Sequence, residues 1–114
     1  MSKHLQRDLD NLQRDLLALA SSVEEAIHKS IRSLQERQIS IARQVIDGDS
    51  IIDELIATMR QAPDMVEPGL SFFSATRHLE RIADHATNIA EDVVYLVEGE
   101  IIRHRPAAVE LGPG

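Results

Sequence analysis

The chain has 114 residues, 43% of them hydrophobic, 27% charged and only 3% aromatic, which fits one globular domain with a core of Leu, Ile, Val and Ala. It has no cysteine, which excludes disulfides and thiolate metal sites, and its net charge of −7 argues against a nucleic-acid surface, where clustered Lys and Arg are needed. No apolar run approaches the ~18 residues of a spanning helix and Met1 to Asp10 shows no secretory pattern, so the expectation is a cytoplasmic protein without direct membrane insertion.

The first helix is expected from about Lys3 to about Glu36. Leu5, Leu9, Leu12, Leu16, Leu19, Val23, Ala26 and Ser30 alternate four and three residues apart, and Leu34 follows. That is a heptad seam of the kind used in bundles and coiled coils. The reversal near Glu36 to Gln38 carries no Gly or Pro to mark it. A second helix should run from about Ile39 to Arg60, with the stripe Ile39, Ala42, Val45 and Ile46, Asp49, Ile52 and Asp53, Ile56, Met59. Gly48 inside it costs roughly 1 kcal/mol relative to Ala.

Gln61 to Gly69 is the one strong break, punctuated by Pro63, Pro68 and Gly69, and Asp64 with Glu67 reads as a capping box for the next helix. That third helix is expected to run to about Glu98 and to stop at Gly99. Phe72, Thr76, Leu79, Ala83, Ala86, Ala90, Val93 and Val97 form its main stripe, widened by Ala75, Ile82, Ile89 and Leu96. A face this broad calls for partners on two sides. The expected fold is therefore all-α, an antiparallel three-helix bundle over residues 1–105, with 106–114 as a frayed tail. The second helix is much the shortest, which leaves part of the other two uncovered and predicts a homodimer or an exchanged helix.

Two acid pairs stand out. Asp49 and Asp53, and Glu80 and Asp84, are each four residues apart, so each pair projects from one side of its helix. Acids that interrupt or border a packing stripe are costly unless something positive joins them. One reading is a hard cation held between two helices by carboxylate oxygens, a donor set suited to iron(III), manganese, magnesium or calcium more than to zinc. The other is that all four are rim residues paired with Arg43, Arg77 or Arg81. Asn88 continues the acidic side of the third helix and could orient a ligand carboxylate; His85, beside Asp84, is a further outer group.

Other motifs carry less. Asp47-Gly48-Asp49 lacks the sixth-position glycine and twelfth-position acid of a calcium loop and lies in a helical pattern. Glu25 and His28 make a single Glu-x-x-His element, whereas ferritin-like di-iron bundles need two plus further glutamates, so this pair reads as solvated surface. No Ser/His/Asp triad, phosphate loop or nucleotide fingerprint appears. Nothing here points to an enzyme.

The run Leu79-Glu80-Arg81-Ile82-Ala83-Asp84-His85-Ala86-Thr87-Asn88-Ile89-Ala90-Glu91, with Tyr95, Gly99 and Arg103-His104 after it, closely resembles the end of PhoU proteins, accessory regulators of bacterial phosphate uptake. The leucine-seamed first helix and Val45-Ile46-Asp47-Gly48-Asp49-Ser50-Ile51-Ile52-Asp53 resemble the family's amino-terminal half. The resemblance implies three-helix PhoU-type repeats that bind metal through Glu/Asp-x-x-x-Asp motifs, which here fall on Asp49 with Asp53 and on Glu80 with Asp84. It implies iron or zinc clusters in some members and manganese or magnesium in others. It also implies contacts with the phosphate ABC transporter and a sensor histidine kinase, repressing phosphate-starvation genes when phosphate is plentiful. Family members usually carry two repeats; this chain resembles the opening of a first and, from about Glu54, the close of a second. A purely structural helical oligomer is the main alternative, and a ferritin-like iron protein a more distant one.

Overall fold

A computed structural model describes residues 3–61 and 66–103, as three helices: α1 (Lys3–Glu36), α2 (Ile39–Arg60) and α3 (Val66–Arg103). All three pairs of helices touch, so the helices form a triangular bundle and no strand occurs among the described residues. Arg43 reaches Glu98 and Arg60 reaches Glu80, which sets α2 antiparallel to α3. Arg37, just past the end of α1, pairs with Glu100 near the end of α3, so α1 and α3 run side by side in the same direction.

The core is narrow and aliphatic. Leu19 and Val23 of α1, Val45, Ile52, Ile56 and Met59 of α2, and Ala83, Ala86, Ala90 and Val93 of α3 are all buried. The alanines let α3 lie close to its neighbours, since each adds only a methyl to the interface. Further along α1 the buried residues are Ser30 and Ser33, while Leu34 turns outward. Ser33 is three residues after Ser30 and seven after Ala26, so the four-three alternation itself keeps it at the interface and leaves Leu34 one position off the seam. The two buried hydroxyls stay satisfied inside their own helix: Ser30 donates to the Ile27 carbonyl and Ser33 to the Ser30 carbonyl, at 2.8 and 2.7 Å.

The turn after α1 needs no glycine. Arg37 adopts a left-handed conformation at φ 53°, and the Gln38 N–H bonds the Ser33 carbonyl at 3.0 Å. This is the long bond of a Schellman ending, made with a residue for which that conformation costs roughly 1–2 kcal/mol.

The third helix is longer than expected at both ends. It passes through Gly99 to Arg103, and a Cβ placed at Gly99 would meet nothing within 4 Å. Glycine there is a position the helix tolerates, not a stop. At the other end Pro68 and Gly69 lie inside α3, because the missing proline N–H costs nothing in a first turn. Asp64, the first residue of the expected capping box, and the tail at 106–114 fall outside the described residues.

Helix length positions everything else. At 1.5 Å per residue, α1 and α3 extend about 51 and 57 Å, and α2 only about 33 Å. The radius of gyration, 19.9 Å, far exceeds the ~13 Å of a compact domain this size. Much of the surface of α1 and α3 therefore lacks cover among the described residues.

Candidate functional site

The seam between α2 and α3 carries both acid pairs. Asp49 takes the stripe position between the buried Val45 and Ile52 and is itself half-buried. A core position filled by a carboxylate needs a donor, and the neighbouring helix supplies one: Thr87 Oγ1 donates to Asp49 Oδ1 at 3.2 Å. One helical turn on, Asp53 is exposed. Its carboxyl is nevertheless held above the usual aspartate range, first by partial desolvation and then by the negative charges of Asp49, Asp84 and Glu80. Charges from both helices thus act on one carboxyl, and the four acids share one stretch of the seam.

They do not converge tightly. Among the described residues no three Asp, Glu or His side chains come close enough to hold an ion together. Glu80 is engaged by Arg60 at 2.7 Å, while Asp53 and Asp84 make no ion pair or side-chain hydrogen bond among the described residues. Asp84 is exposed. The arrangement fits a surface cation held by two carboxylates with water completing the shell, as hard cations accept. It does not fit an enclosed protein cage.

The arginines behave differently from expectation. Arg43 pairs with Glu98 at 3.2 Å, not with the acidic seam, and neither Arg77 nor Arg81 forms an ion pair among the described residues. The partner that sequence reasoning missed is Arg60, the last residue of α2. Only the antiparallel register brings it to Glu80, 20 residues away. Thr87 was missed as well; its sole signal is the seven-residue step from Glu80, which keeps it on the side facing α2. Asn88, four residues after Asp84, is exposed beside it. His85 is one residue past Asp84 and so about 100° round the helix, turned toward the α1 side of α3 and away from the acids of α2. Glu25 and His28 lie on the outside of α1, paired with Lys29 at 3.0 Å and Glu24 at 3.7 Å, as expected of surface residues.

Comparison with known proteins agrees with this architecture. A family model described as PhoU domain matches residues 16–93, a span that includes both acid pairs. A phosphate-specific transport system accessory protein PhoU homolog of a Burkholderia species is 34% identical over 86 residues, covering 68% of this chain and 37% of that protein. The homolog of Pseudomonas aeruginosa is 33% identical over 94 residues, covering 75% and 39%. PhoU homolog 1 of Thermotoga maritima is 29% identical over 109 residues, covering 86% and 47%. No solved structure matches significantly. A bundle of three helices with acid pairs on consecutive helices, matched by that model over most of its length, places the class: the chain belongs to the PhoU family. It spans about two-fifths of the length of the curated relatives it matches. Among the described residues no helix is long and apolar enough to cross a membrane.

Proposed function

We propose that this protein is a metal-responsive accessory regulator of phosphate uptake and phosphate-starvation signalling, working in the cytoplasm through contacts with other proteins. In this reading its metal ligands are drawn from Asp49, Asp53, Glu80 and Asp84, two carboxylates to an ion with water completing the shell, and Asn88 orients them. Family membership supports the regulatory role: the matching relatives are named as accessory proteins of a phosphate-specific transport system. Its partners in this reading are a phosphate ABC transporter and a sensor histidine kinase, together with a second copy of the chain.

The observation that carries the metal reading is the placement of both acid pairs along one stretch of the α2–α3 seam, where partial desolvation and then the negative charges of both helices hold the Asp53 carboxyl above the usual aspartate range. Mutual repulsion of that kind is relieved by a cation, so binding is favoured by the same field that burdens the apo protein. Iron(III), manganese and magnesium match the oxygen donors best, with zinc a weaker fit. Binding would require Glu80 to leave Arg60, a modest cost because the exchange occurs at a half-exposed pair.

One observation favours a second reading. The Arg60–Glu80 pair and the Thr87–Asp49 bond already occupy two of the four acids, so the seam could be a purely structural rim. Elemental analysis of gently purified protein separates the two. Near-stoichiometric iron, zinc, manganese or magnesium that vanishes in a Glu80→Ala, Asp84→Ala double variant supports the regulator. Metal-free protein whose thermal stability ignores all four ions supports the rim. The regulatory half is tested by expressing the chain in a bacterium lacking its own PhoU protein; a phosphate-starvation reporter that stays fully derepressed in rich phosphate would refute it.

A further inference from the structure

The flank of the bundle formed by α1 and α3, on the side away from α2, has an apolar surface that the acidic site does not use. Ile82, Ile89 and Leu96 repeat every seven residues along this side of α3. Leu34 of α1 sits beside Ile89 and Leu96 across a groove of about 360 Å³. Ile31, Leu34, Ile82 and Leu96 are each between 38 and 48% exposed. A seven-residue apolar repeat is the spacing by which helices pack along a seam, and here the seam lies on the outside.

We propose that this flank is the surface on which a second copy of the chain docks, with α3 crossing α3 antiparallel about a two-fold axis at Ile89. The proposal rests on the reading that the chain self-associates, and it names the surface that does so. Symmetry supports the choice of occupant. Centred on Ile89, the repeat is its own complement: Ile82 meets Leu96 of the second copy, Ile89 meets Ile89, and Leu96 meets Ile82. The polar residues of the same strip obey the same axis. His85 lies next to Asp92 of the second copy, and Asp92 next to its His85, so an imidazole N–H faces a carboxylate twice over. Asp84 and Glu91 lie on other sides of α3, which keeps the approach of two chains of charge −7 clear of their acidic seams.

Size is sufficient. The α1–α3 flank is about 50 Å long and two helix diameters, roughly 20 Å, wide. It offers on the order of 1,000 Å² per copy, against the ~800 Å² per partner typical of a stable interface. The groove beside Leu34 would take Ile82 of the second copy.

Light scattering on the full chain at micromolar concentration reads the result. Twice the chain mass of 12.7 kDa is expected for the unaltered protein. Leu96→Glu should weaken the dimer by at least about tenfold, because it places carboxylates in the apolar seam. Its helical circular dichroism should not change, since Leu96 is partly exposed already. A second variant guards against misfolding. The chain has no cysteine, so Ile89→Cys presents a lone thiol that sits on the axis and should oxidise readily to a covalent dimer. Ile51→Cys, on the outer side of α2, should not. A monomeric unaltered protein would overturn self-association altogether. A dimer that survives Leu96→Glu and cross-links no faster at residue 89 than at 51 would leave self-association standing and overturn this surface.

Discussion

Replacing Asp53 with Asn tests the acidic seam most directly, because its effect should change sign with the metal. In the apo protein Asp53 is repelled by Asp49 in its own helix and by Asp84 and Glu80 of α3. A like-charge pair one helical turn apart costs about 0.2–0.5 kcal/mol. Three such neighbours, discounted because Asp53 is solvent-exposed, bring the total to roughly 0.5–1 kcal/mol. Asp53→Asn keeps the size and removes the charge. In chelator at neutral pH it should therefore raise the melting temperature by about 2–8 °C, at ~4–8 °C per kcal/mol for a domain of this size.

The pH dependence comes from the direction of the shift. An acid whose folded pKa is raised binds more protons in the native state than in the unfolded one between its two pKa values, so stability falls as pH rises through that window. Above the folded pKa the penalty is complete, and below the ordinary aspartate pKa it is absent. The advantage of Asp53→Asn should thus be full at neutral pH and shrink as the solution is acidified into the carboxylate range. With metal added the order reverses: the unaltered protein gains stability from the ion, and the variant, short of one ligand, gains less. Thermal melts in chelator and in excess manganese, each at pH 7 and pH 4, give the four readings. An apo variant no more stable than the unaltered protein would refute the electrostatic account, and an equal rise with manganese in both would remove Asp53 from the ligand set.

Three further outcomes are expected. Arg60→Ala releases Glu80 and should tighten metal binding in calorimetric titration, at a stability cost within the ~0–1 kcal/mol of an exposed pair; unchanged affinity would exclude Glu80 as a ligand. Arg37→Gly relieves a left-handed non-glycine residue of ~1–2 kcal/mol and loses only the exposed contact with Glu100, worth at most ~1 kcal/mol, so urea unfolding should show a net gain. Leu19→Ala empties a fully buried position among all three helices and should cost about 2–5 kcal/mol; a loss under 1 kcal/mol would mean the core is looser than its burial indicates.

What the amino-acid order determines by itself is local and periodic. The spacing of Leu12, Leu19, Val23 and Ala26, and of Val45, Ile52, Ile56 and Met59, dictates two amphipathic helices and the residues they bury, because burial of one face is set directly by 3.6 residues per turn. The pairing of Asp49 with Asp53 and of Glu80 with Asp84 is legible for the same reason. End signals are weaker, since their meaning depends on surroundings. Gly99 resembles a stop yet lies within α3, as nothing there requires a left-handed residue. The turn at Arg37 carries no glycine because its Schellman bond and the partner on α3 sustain it. Leu34 is exposed because it stands one residue past the four-three alternation, whose next position after Ser30 is Ser33. The tertiary structure alone decides who meets across helices. Arg60 finds Glu80, Thr87 finds Asp49, and Arg43 goes to Glu98 and not to the acids, because partners that far apart in the chain are chosen by helix register and rotation, and neither is encoded in the spacing of one helix.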